Sequence, residues 1–132
     1  VDGKPALWET SQGLLCWAFG HGGPGLAANS DGFRFLFGHG FDADDCTLNY
    51  VTTQVAHHAE GTTWEDWNSV ARNAVIDAQD DDGSWFNPRD QRAAAGGRLY
   101  QTALNAYALM IYYRHAPIYS SISSPPLLRT KD

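Results

Sequence analysis

Residues 42 to 46, Asp42-Ala43-Asp44-Asp45-Cys46, place three carboxylates and a thiol within five positions. Carboxylates this close disfavour each other's charge, so one of them can keep its proton and serve as an acid. The same residues have a plainer use. Asp44 or Asp45 stands where an N-cap belongs, ahead of a helical run, and a carboxylate there meets the positive end of the helix. His57-His58 followed by Glu60 invites a metal, yet adjacent residues on a helix diverge by about 100° and cannot both face one ion. Asp80-Asp81-Asp82 reads as a solvated turn, because Gly83-Ser84-Trp85 does not continue the oxygen ligands of a calcium loop. The run GHGGPG at residues 20 to 25 lacks the Lys and hydroxyl of a phosphate loop and is read as a connection. The sequence has no Gly-x-Ser-x-Gly elbow.

Gln79, Gly83 and Trp85 suit a structural clasp. An amide at the end of a helix can bond orphan backbone groups, while an indole packs over the turn that Gly83 allows.

Five helical segments must position these groups. The first spans about Glu9 to Phe19, with Thr10 or Ser11 as N-cap and Gly20 as its stop. Ser30 caps a short second helix, Asp31 to Phe37. A third starts at Asp44 or Asp45 and runs to His58, with Leu48, Val51 and Val55 on one face and Gly61 as exit. In the fourth, Trp64 to about Gln79, Thr63 and Asp66 form a capping box. Trp64, Trp67, Ala71, Ala74, Val75 and Ala78 line its apolar face. The fifth, Leu99 to Arg114, is apolar nearly all round and is expected to be buried on all sides, with Pro117 beyond its end. No alternating strand pattern occurs, so the fold class is all-α, about five helices in antiparallel hairpins.

Three stretches together resemble one family. AVIDAQDDDGSW, residues 74 to 85, looks like the QW motif of squalene-hopene cyclases. GGRLYQTALNAYALMIYYRHAPIY, residues 96 to 119, looks like the inner helix that follows it in the terpene cyclase and prenyltransferase β-subunit repeat. YVTTQVAHHAEGTTWEDWN, residues 50 to 68, resembles the preceding hairpin, in particular in planctomycete-type bacterial proteins with these repeats. GLLCWAFG, residues 13 to 20, fits an earlier helix of that group. The resemblance implies a partial (α/α) toroid over residues 9 to 119. Residues 1 to 8 would then be an N-terminal extension and 120 to 132 an irregular tail.

Within that resemblance, Asp42 to Asp45 is similar to the DxDD motif, whose middle acid protonates an alkene. Asp44 would be that acid, Asp42 and Asp45 its neighbours, and His57 or His58 its polarising partner. The alternative function is thus an isoprenoid cyclase with Asp44 as general acid. Asp44 and Cys46 also resemble the Asp-x-Cys pair of prenyltransferase zinc sites. The position of the third ligand holds Gln101, a poor zinc donor, so no metal or other cofactor is expected unless His115 or His57 substitutes. About five helices make only an arc of a toroid, and open ends of repeat arrays need covering. The favoured expectation is a non-catalytic module for self-assembly or protein binding, its partner a copy of itself or the remainder of a larger chain.

Composition bounds these readings. The 132 residues include 43% hydrophobic and 18% charged side chains, enough for one domain with a core and too apolar for a disordered tail. A net charge of −6, with nine Lys and Arg against fifteen Asp and Glu, argues against nucleic acid as partner. No run approaches the length of a membrane span, so a soluble protein is expected. Val1 fits either a processed N-terminus, and so an extracytoplasmic location, or the edge of an excised piece. Cys16 and Cys46 leave one disulfide possible. Five Trp, six Tyr and six Phe exceed what one small core requires, making Trp8, Trp17, Tyr112, Tyr113 and Tyr119 candidate interface residues.

Overall fold

The computed structural model describes residues 6–21 and 30–114. These form five α-helices: α1 (Leu7–His21), α2 (Asp31–His39), α3 (Cys46–Ala59), α4 (Gly61–Asp77) and α5 (Gly97–Arg114), with a 3-10 turn at Ala94–Gly96 before α5. The fold is all-α, and no strand occurs among the described residues. Tyr119, His115, Pro117, residues 22–25 of the Gly-rich run, and the segments 1–5 and 120–132 lie outside the described residues.

Two helix starts follow from local chemistry. Ser30 caps α2, its hydroxyl accepting from the Phe33 N–H at 3.1 Å, and Asp45 caps α3 by accepting from the Leu48 N–H at 2.8 Å. Two others differ from the sequence reading. α1 begins at Leu7, so Thr10 and Ser11 lie inside it, and the Ser11 hydroxyl donates back to the Trp8 carbonyl at 2.8 Å. α4 begins at Gly61 and its N-cap is Glu60, without a side-chain cap bond; the Thr63–Asp66 capping box does not form. The reason is a pivot. Glu60 (φ 57°) and Gly61 (φ 56°) are both left-handed, which reverses the chain in one residue and restarts the helix before Thr63 is reached. α4 ends at Asp77, short of Gln79.

α3 is the centre of the molecule, packed against α1, α4 and α5. Every residue from Thr47 to His58 except Tyr50 is buried. α2 lies on α1. One core cluster joins Phe33 and Leu36 to Leu48 and Val55, with Leu14, Leu15, Trp8 and Trp17 packed against it. A second joins Ala56 to Trp67 and Ala71, and half-buried Phe37 touches both.

The expectation that α5 is buried on all sides is overturned. Gln101 and Ile111 are buried, but Leu99, Tyr107, Met110, Tyr112 and Tyr113 are exposed. The helix buried all round is instead α3, which carries Thr47, Asn49, Thr52, Thr53, Gln54 and both histidines. Position between three neighbours decides burial here, and Thr53 shows how a polar side chain is accommodated. The Thr53 hydroxyl donates to the Asn49 carbonyl at 2.6 Å and accepts from the Trp67 indole at 3.0 Å.

Ala56 is fully buried at the α3–α4 contact. Ala56→Leu is expected to cost about 1–3 kcal/mol through overpacking, read as a lower urea midpoint at unchanged slope.

Candidate functional site

The loop ahead of α3 and the long connection from α4 to α5 meet at the N-terminus of α3. Asp90, only 1% exposed, joins them: one carboxylate oxygen accepts from the Cys46 N–H at 2.9 Å and the other from the Ala93 N–H at 2.9 Å. Cys46 is the first residue of α3, so its N–H has no partner within the helix. With Asp45 on Leu48, two carboxylates serve the positive end of the central helix.

Two carboxamides then hold loop backbone with both of their ends. Asn49, on α3, accepts from the Asp42 N–H at 3.1 Å and donates to the Asp42 carbonyl. Gln101, on α5, accepts from the Asn87 N–H at 2.6 Å and donates to the Asn87 carbonyl at 3.0 Å. The Asn87 amide donates in turn to the Ala43 carbonyl (2.9 Å) and to Asp44 Oδ1 (2.8 Å). Asn87, Asp90, Asn49 and Thr102 were not singled out in the sequence. Beside local bonds such as Asp90 to the Ala93 N–H, each has a partner 7 to 44 residues away, a separation that local pattern does not encode.

The three acidic candidates fall on this scaffold. Asp42 faces His39 at 3.7 Å and accepts from the Asp44 N–H at 2.9 Å. Asp44, its side chain 44% exposed, pairs with Arg89 at 3.1 Å, and Asp45 pairs with Arg92 at 2.9 Å. The guanidinium of Arg92 also lies 4.4 Å above the Trp8 ring. The expected polarising histidines are elsewhere: Asp44 precedes α3, whereas His57 and His58 sit in its last turn. Their rings face different helices, His57 against Trp64 and His58 against Phe19.

Cys46 and Gln101 do line one cavity, of about 370 Å³, with Asp90, Asn105, Trp85 and Phe86. As a zinc set with Asp44 they do not fit. The Gln101 amide is engaged at both ends, Asp44 is paired with Arg89, and burial together with the Asp90 carboxylate pushes the Cys46 thiol up to about 12. Among the described residues no three His, Cys, Asp or Glu side chains converge where they could hold a metal. Cys16 and Cys46 are both free thiols, the first exposed.

Gln79, Gly83 and Trp85 act at the α4–α5 junction. The Gln79 amide donates to the Gly83 carbonyl at 2.8 Å, and Gly83 adopts φ 82° to close the turn. The Trp85 indole reaches farther back than Gln79, donating to the Val75 carbonyl of α4 at 2.7 Å. The Trp85 backbone meets Thr102 of α5, its N–H donating to the hydroxyl at 3.1 Å. Arg98 closes the outside, paired with Asp80 and bonded to Ser84 at 2.6 Å. The acidic run is thereby a turn whose Asp82 accepts from the Ser84 N–H at 3.0 Å.

Of the interface candidates, Trp8 and Trp17 are half-buried in the first core cluster, whereas Tyr112 and Tyr113 are exposed and stack edge to face at 5.3 Å. Comparison of the chain with family models, with curated proteins and with solved structures finds no match.

Trp85→Ala removes a buried indole and its bond to α4, so a loss of about 3–5 kcal/mol is expected in denaturant unfolding. The thiols give a second check. Below pH 9 the Cys46 thiol stays protonated in the native chain, so an alkylating agent at pH 8 should label Cys16 alone, and both cysteines in urea. Because the folded state holds a proton that the unfolded thiol releases, Cys46 stabilises the fold fully below pH 9. That contribution falls away as pH rises from about 9 towards 12.

Proposed function

We propose that this chain is a non-catalytic helical module that self-assembles through α5, built as an arc of the terpene cyclase and prenyltransferase-like (α/α) toroid that its QW-like stretch resembles. The observation that carries the reading is the outer face of α5. No charged residue occurs between Arg98 and Arg114. Leu99, Ala103, Ala106, Met110 and Tyr113 share a stripe roughly 80° wide at helical spacing. Gln101 and Ile111, which face the core, lie on the other side. Leu99 is 82% exposed and Tyr113 84%, an apolar row that water covers poorly.

In alternating helical architectures such a face receives the next helix, and here a second copy would supply it. The carboxylates favour the non-catalytic side of this reading. Protonating an alkene requires an acid inside an enclosed apolar cavity, whereas Asp44 is half-exposed, paired with Arg89 and bonded to Asn87.

Light scattering at micromolar concentration is expected to give a multiple of 14.5 kDa, with an interface above roughly 1,000 Å². Leu99→Lys with Met110→Lys, both at exposed positions, should return the monomer without loss of helicity. A monodisperse 14.5 kDa monomer that binds no hydrophobic dye would overturn the proposal, as would an oligomer indifferent to both substitutions.

A further inference from the structure

A second cavity, of about 320 Å³, opens between the end of α2, the residues after it and the first turns of α4. Its volume lies within the range of small-molecule sites. Four aromatic side chains line it: Phe33 and Phe37 from α2, Phe41 from the loop, and Trp67 from α4. Phe37 meets Trp67 edge to face at 5.7 Å, and Phe41 meets it at 6.4 Å with the planes inclined by 48°. Phe33 packs on Phe37 at 4.4 Å, and Phe33 and Trp67 are each only 6% exposed, so the half-buried Phe37 and Phe41 present most of the aromatic wall. Trp67 is fixed by its indole bond to Thr53.

The polar part of the lining decides the charge of the ligand. Thr63 and Asp66 stand at its edge, and no Lys, Arg or His lines it. Among the described residues Asp66 forms no ion pair, as is also the case for Glu9, Glu60, Glu65, Asp77 and Asp81, and of these carboxylates it is the one that lines this cavity. Asp66 is the sixth residue of α4, beyond the first turn where the helix dipole would satisfy it. Aromatic faces carry negative partial charge, so the wall that Phe37 and Phe41 present and the carboxylate at its rim both favour a cation.

The same lining selects the kind of cation. A hard metal ion needs several oxygen ligands and would find one carboxylate and one hydroxyl. A primary ammonium is strongly hydrated and has three donors to satisfy. A quaternary ammonium has no donor, spreads its charge over methyl groups and matches an apolar aromatic wall. We infer that the Phe33–Phe37–Phe41–Trp67 cavity, with Asp66 at its rim, is a binding site for a small quaternary ammonium ion of the choline type.

The test is titration of the full chain with choline chloride, followed by calorimetry and by the Trp67 indole N–H signal in nitrogen-15 spectra. Sodium chloride at equal ionic strength and the neutral isostere 3,3-dimethylbutan-1-ol serve as controls. Choline is expected to saturate and to shift the Trp67 signal, with the neutral alcohol at least about tenfold weaker. Asp66→Asn, at an exposed position that makes no bond, should keep the fold and weaken choline by about tenfold. Equal binding of the neutral alcohol would show an apolar crevice only and overturn the assignment. Absence of saturation, or unchanged affinity in Asp66→Asn, would overturn it as well.

Discussion

The arrangement depends on how the N-terminus of α3 is satisfied inside the protein. A helix surrounded on three sides brings its unpaired N–H groups with it, and each costs about 1–3 kcal/mol if it is buried without an acceptor. Asp90 removes that cost for Cys46, and Asp45 does so for Leu48. Asp90 arrives from a connection 44 residues later, so satisfying one helix end also fixes the path of the loop between α4 and α5. Asn87 and Gln101 continue the same logic, in which a side-chain amide takes the place of a strand partner for isolated loop backbone. The acidic residues 42 to 45 belong to this scaffold. They order a loop against Asn87, Arg89 and Arg92, and the donors around them are what a fixed loop requires.

The helices were legible because their signals are local. Ser30 and Asp45 cap where their types and positions indicate, and Trp67, Ala71 and Val75 form the buried face that their spacing describes. Failures arose where a non-local or conformational fact intervened. The Thr63–Asp66 pair has the composition of a capping box, but a left-handed Glu60 moves the helix start to Gly61. Composition also pointed to α5 as the enclosed helix and away from α3, whose sequence is half polar. Thr53 explains the inversion: its hydroxyl bonds its own helix and then accepts the Trp67 indole, so a polar residue becomes part of the packing. In the site, Cys46 and Gln101 share a cavity, yet the residue that holds the helix end, and that adds to burial in raising the thiol, is Asp90. A single aspartate in Asn-Pro-Arg-Asp carries no local mark of that role.

The placement of cations separates the two cavities. Arg89, Arg92 and Arg98 come from a span of ten residues and pair with Asp44, Asp45 and Asp80, which places three of the nine cations around the connection that Asp90 anchors. The 370 Å³ cavity therefore has Arg89 in its wall and amides whose hydrogen bonds are already committed to loop backbone. The aromatic cavity at the start of α4 has a carboxylate and no cation. Asp66 is the carboxylate that borders this apolar concavity. Charge partition of this kind is decided by tertiary arrangement: Arg92 reaches Asp45 across 47 residues, and Arg98 reaches Asp80 across 18. The cation proposed for the α2–α4 cavity would meet Asp66 with no Lys, Arg or His in the lining, whereas at the other cavity it would face Arg89 beside the acids.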